Sequence, residues 1–118
     1  MSAEHILFAT LRALVADRVF PDVAPEGAAL PRIVYQQAGG KPVQYTEGPM
    51  AGHENARMQV ACWAATRDAA TTLAKQVEDA LVAATGCTVQ PIGQRVAVYE
   101  EDTGLRGARQ DFSVWSPR

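Results

Sequence analysis

The run His53-Glu54-Asn55-Ala56-Arg57 has the outline of a metal-binding helix with one ligand replaced. Zinc proteases hold the ion between two imidazoles one helical turn apart, with a glutamate beside them as base. Here the second imidazole position is Arg57, which cannot ligate a cation, and the residues around it read as a loop entering a strand. Gly39-Gly40-Lys41 invites comparison with a phosphate-cradling loop. It lacks the earlier glycine at the required spacing and the Ser or Thr after the lysine, and no helix follows to supply a positive N-terminus. Ser2, Ser113 and Ser116 stand in no nucleophile-elbow context, and His5 and His53 are the only imidazoles. Cys62 lies within an apolar alternating run, where burial raises a thiol's pKa and makes it inert. Glu100, Glu101 and Asp102 are consecutive, so their carboxylates point to alternate sides and suit a solvated turn better than a cation site. The expectation is a chain with no catalytic group, no cofactor and no metal.

What remains is a pair of aromatic anchors. Trp63 and Trp115 fall on the strand face opposite the apolar set, at strand ends. Arg57 and Gln59 share that face and make it mixed rather than greasy, as suits a contact formed after folding. Two readings stand. Either the tryptophans are partly covered by the chain's own loops, or they anchor a subunit interface, where Trp is enriched.

The elements that position these residues follow from periodicity. Ala3 to about Ala16 places Leu7, Leu11, Leu14 and Val15 on one helical face, with Ser2 as N-cap and Glu4 in the first turn. Pro21 prevents continuation. The run from Pro21 to Pro31 is an ordered loop crossing the sheet edge, with Val23 and Leu30 as anchors. Arg32 to Gln37 reads as the first strand and Glu54 to Ala64 as the second. In the second, Ala56, Met58, Val60, Cys62 and Ala64 share the buried face. Thr66 caps a second helix with Asp68 in its first turn. That helix buries Leu73, Val77, Ala80, Leu81 and Ala84 and stops near Gly86. Thr88 to Ile92 leads back to the sheet, Arg95 to Glu100 forms a third strand, and Gly107 to Trp115 forms the last after a turn at Asp102-Thr103-Gly104. The expected fold is α+β: a two-layer arrangement of a mostly antiparallel four-stranded sheet with two helices on one face, in the order α-β-β-α-β-β. Residues 1–118 form a single domain in this reading. Residues 39–52, rich in Gly and Pro, form an extended hairpin or mobile arm carrying Lys41 and Tyr45.

Composition narrows the function classes. The chain has 118 residues, a net charge of −2 and 20% charged side chains, within the range of a folded globular protein rather than a disordered one. Lys and Arg are scattered, so no basic stripe is available to displace counterions from nucleic acid, although DNA could pass by without being gripped. No apolar run approaches the ~20 residues a membrane span needs. Met1-Ser2-Ala3-Glu4-His5 lacks the basic region and cleavage site of a secretory leader. A protein that is soluble and intracellular at synthesis is expected, with Cys62 a buried reduced thiol rather than half of a disulfide.

Several blocks in order then resemble a known family. They are the leading amphipathic helix, Arg18-Val19-Phe20-Pro21, Val23-Ala24-Pro25 with Gly27-Ala28, and Leu30-Pro31-Arg32-Ile33-Val34-Tyr35-Gln36. These are followed by Arg57 to Ala64 running into the second helix, Asp102-Thr103-Gly104-Leu105, and Asp111-Phe112-Ser113-Val114-Trp115. This set is similar to the small phage tail-completion, or head-tail joining, proteins, related in fold to the lambda-type tail terminator. The resemblance implies a structural virion or prophage protein, non-catalytic and without cofactor. It would form a ring, commonly a hexamer, at the head-proximal end of the tail tube. Its implied partners are further copies of itself, the tail tube protein and the head completion or connector protein, with DNA only passing through and no membrane. Assembly in the host cytoplasm and a final place in the virion tail follow from the same resemblance. Arg57, Gln59, Trp63, Trp115, Lys41 and Tyr45 are the candidate subunit or tail interface. The alternative from another class is a small α+β ligand-binding domain or enzyme that uses the open sheet face as its pocket.

Overall fold

The computed structural model describes residues 2–42 and 52–118. Helix α1 runs from Ala3 to Leu11, with the Ser2 hydroxyl accepting from the His5 amide at 3.2 Å. A 3₁₀ turn, Arg12–Val15, continues it before Ala16 and Asp17 take left-handed conformations that reverse the chain. The reversal is held by the Arg12–Asp17 ion pair at 2.8 Å. That contact, chiefly its hydrogen bond, lowers the Asp17 carboxyl below its usual pKa. Leu7, Leu11 and Val15 are fully buried, as the one-face periodicity requires.

The strands are β1 (Val19–Pro21), β2 (Arg32–Gln37), β3 (His53–Ala64), β4 (Thr88–Glu100) and β5 (Leu105–Pro117), with α2 (Arg67–Val82) between β3 and β4. They form one five-stranded sheet in the order β1-β2-β3-β5-β4. The four-stranded expectation is corrected here. Val19-Phe20-Pro21 pairs in parallel with Ile33-Val34-Tyr35 and makes the sheet mixed, the other pairings being antiparallel. Three residues ending in proline are too short to show alternation, and proline is tolerated there because the strand is at an edge. The order is therefore α-β-β-β-α-β-β.

Thr88–Ile92 and Arg95–Glu100 also prove to be one strand, bent by an irregularity between Ile92 and Val96 where Gly93 adopts a positive φ of 71°. Gln110, buried on β5, spans that bend. Its side-chain amide donates to Gly93 O at 3.0 Å and to Glu78 Oε1 on α2 at 2.8 Å. The long strands β3, β4 and β5, of 12 or 13 residues, set the molecule's extents of 49 × 24 × 24 Å.

α1 and α2 share one face of this sheet through a common core. The buried set of β3 is Ala56, Met58, Val60, Cys62 and Ala64, as read from its alternation, and it meets Leu7 and Leu11 of α1 and Leu73, Val77 and Leu81 of α2. Phe112 and Val114 of β5 are completely buried in the same cluster. Small residues at Ala70, Ala74 and Ala108 let α2 approach closely. Thr66 caps α2 by accepting from the Ala69 amide. Ala80 and Ala84 are half-buried at its far end. The helix closes at Val82 with Ala83 as C-cap, before the left-handed turn at Gly86.

The proline loop is ordered, and of its two expected anchors Leu30 is half-buried while Val23 is not. Val23 is 77% exposed. Two arginines hold the loop instead: Arg18 Nε donates to Pro31 O and Arg32 Nη1 to Ala28 O, each at 2.8 Å.

Candidate functional site

Among the described residues no helix covers the second face of the sheet, because α1 and α2 are committed to the first. Alternation places Asn55, Arg57, Gln59, Ala61 and Trp63 of β3 on this open face. The β3–β5 register sets Gly107, Arg109, Asp111, Ser113 and Trp115 beside them.

Among the described residues, two grooves lie on the open face. The upper one, about 500 Å³, is roofed by the Asp22–Gly27 loop and floored by Gln59, Ala61, Trp63, Gly107 and Arg109. Asp22, Glu26 and Glu100 stand among its walls. Arg32 runs along the β2 side, its Nε buried without a partner among the described residues. Trp63 is half-buried in this groove with its ring against Gly107. A Cβ there would stand 2.8 Å from Cζ3 of the indole.

The lower groove, about 550 Å³, is lined by Gly40, Lys41, Asn55, Arg57, Ile92 and Ser113, among others. Asn55 organises it. Its Oδ1 accepts from the Lys41 amide and its Nδ2 donates to Ser113 Oγ, both at 2.9 Å. Between the grooves, Arg57 Nη2 meets Asp111 Oδ2 at 2.7 Å, across strands.

The candidate residues therefore fall into three places. Trp63 and Gln59 line the upper groove, and Arg57 and Lys41 line the lower. Trp115 lines neither, although it stands opposite Asn55 in the register. Eight positions along a strand separate it from Trp63, roughly 26 Å, so the tryptophans do not form one patch. Tyr45 lies outside the described residues, with the rest of 43–51. The two ends of the expected arm are fixed to β3 and the C-terminus. Ala38 donates to Arg57 O, Gly39 O accepts from Arg57, and Gly52 O accepts from Arg118.

Arg109, Asp111 and the Gly107 seat were not singled out from sequence. A glycine inside a strand is a signal of close approach by another group, and Gly107 carries it. His53-Glu54-Asn55-Ala56-Arg57 is strand, not helix. Cys62 is buried, and desolvation pushes its thiol up to about 12.

A family model described as Tail completion protein gp17 matches residues 8–116, nearly the whole chain. The chain belongs to this family of phage tail-completion proteins. Members are structural proteins of tail and virion assembly. A chain in the solved structure titled "Virion of native gene transfer agent (GTA) particle" has a similar fold, with a TM-score of 0.53 at 18% identity, over 93% of this chain and 86% of that one. No curated protein matches the chain. Among the described residues, no helix is long and apolar enough to cross a membrane.

Proposed function

We propose that this tail-completion protein closes the head-proximal end of a tail tube as a ring, commonly a hexamer, and offers the surface on which the head docks. Membership of the tail-completion family over residues 8–116 is the observation that carries this reading. The likeness in fold to a chain of a gene transfer agent virion is in keeping with it.

The open face suits one side of a ring contact. A closed ring is built from a heterologous contact, in which two different patches of each subunit meet. The open face, with its roofed groove at Trp63 and its polar groove organised by Asn55 beside the Arg57–Asp111 pair, would be one of these patches. Both grooves mix charged and apolar groups, as in contacts between subunits that fold before they associate. In this reading the tube protein and the head completion protein are the outside partners. DNA passes through without being read, and the role is structural rather than catalytic. The chain would assemble in the host cytoplasm and end in the virion tail.

The test is light scattering of the purified chain with and without tail tubes. The proposal expects a defined ring to appear on the tubes. A chain that ignores tubes and instead binds a small molecule saturably would overturn it.

A further inference from the structure

The two edges of the sheet are unlike. On the β1 edge the backbone is turned in on itself. Val19 N–H donates to Asp17 O and Val23 N–H to Pro21 O, and Asp22 N–H reaches Tyr35 O. Pro21 has no N–H to offer. The β4 edge is guarded over only half its length. Pro91 and the irregularity between Ile92 and Val96 interrupt its lower part, two devices that keep edge strands from pairing. Val96 to Glu100 keeps a regular register with β5 and contains neither proline nor lysine. Among the described residues no strand lies outside it. Val96 is 53% and Tyr99 48% exposed there.

We infer that this edge accepts the same strand from a second copy of the chain, antiparallel, about a two-fold axis at Val98. The inference is independent of the ring. The choice of a second copy rests on self-complementarity. A two-fold axis perpendicular to the sheet keeps both open faces on one side and pairs residues of like orientation. Centred on Val98, it sets Val98 opposite the second copy's Val98 and Ala97 opposite its Tyr99. Val96 then faces Glu100, and at each end of this regular stretch Arg95, beside the irregularity, approaches Glu101, the first residue of the turn. The two Arg95–Glu101 approaches are of opposite charge, and no carboxylate faces a carboxylate. A shift of two residues one way draws the irregular stretch Gly93 to Arg95 into the ladder, opposite Glu101 to Tyr99. The other shift drives Ala97 and Val96 against Glu101 and Asp102 of the turn. The pairing closes at two copies, because the β1 edge cannot extend the sheet further. So short a ladder buries less than the ~1,200 Å² of a standard stable interface, which makes the dimer weak and reversible.

Sedimentation of the full chain from about 10 μM to about 1 mM, the range in which so small an interface associates, is expected to show monomer passing to dimer. Directly opposed antiparallel residues have Cα atoms about 4.5–5.5 Å apart, within disulfide reach. In a Cys87→Ser background, Val98→Cys should therefore oxidise to a linked dimer. Val96→Cys should not link to itself, but should link to Glu100→Cys when the two are mixed. Glu101→Arg should weaken the dimer about tenfold, and adding Arg95→Glu should restore it. A monomer at every concentration, or equal self-linking at 96 and 98, overturns the proposal. It also fails if the chain stays monomeric while Val98→Pro abolishes binding to tail tubes, since the edge would then take a strand of the tube.

Discussion

The indole of Trp63 occupies the space above Gly107, its cross-strand partner in the β3–β5 register, and leaves no room there for a Cβ. Gly107 does not have a positive φ, so its value lies in the missing side chain. Gly107→Ala should push the ring towards solvent and cost about 1–3 kcal/mol, the usual range for overpacking. Chemical denaturation measures the loss. A red shift of tryptophan emission, absent in a Trp63→Phe background, assigns it to this contact.

Gln110 ties β5 to α2 and to the bend in β4 through Glu78 and Gly93. Gln110→Leu should remove both hydrogen bonds and lower stability by about 1–2 kcal/mol. The observable specific to this residue is hydrogen exchange. Amides flanking Gly93 should exchange faster, while those in the middle of β3 keep their protection.

Burial keeps the Cys62 thiol neutral well above its ordinary value of 9.0, up to about 12. Above pH 9 the unfolded chain loses this proton while the folded chain retains it, so the unfolded state binds fewer protons and stability falls as pH rises. The loss begins near pH 9 and continues towards 12, with a slope of at most about 1.4 kcal/mol per pH unit from this group. Cys87 and Tyr35, both raised mainly by desolvation, act in the same direction. The comparison that isolates Cys62 is therefore the alkaline slope of wild type against Cys62→Ala, which should be shallower. A thiol reagent at pH 8 should label Cys87 well before Cys62.

Arg57 is half exposed, whereas Asp111 retains 16% of its side-chain exposure. Arg57→Ala alone should cost about 1–2 kcal/mol, because it leaves a largely buried carboxylate without its partner. Removing both in Arg57→Ala/Asp111→Ala should cost less than the sum of the two single changes. Under the proposed role the double variant folds but no longer joins tails to heads. Melting curves and counts of joined particles separate the two effects.

Legibility in the sequence followed the length of each pattern. β3 shows its buried set because Ala56 to Ala64 alternates over many residues, and α2 shows both its cap and its apolar stripe. β1 was missed because Val19-Phe20-Pro21 is shorter than one detectable period and gains its place only from pairing with Ile33 to Tyr35. The unity of β4 was hidden by Gly93, which looks like a break and serves as a bend held by Gln110. Among the candidate interface residues, faces were readable and distances were not. Trp63 and Trp115 share the open side, but their separation is set by the β3–β5 register, which strand patterns do not encode. The Arg57–Asp111 pair joins residues 54 positions apart in the chain and has no local signature at all.

The central claim is that the chain completes tails. It is tested most directly by electron microscopy of particles made without it and again with it supplied in trans. The account predicts overlong tails, or normal tails beside unattached full heads, and joined particles once the chain is restored. Normal, joined particles in its absence would contradict it.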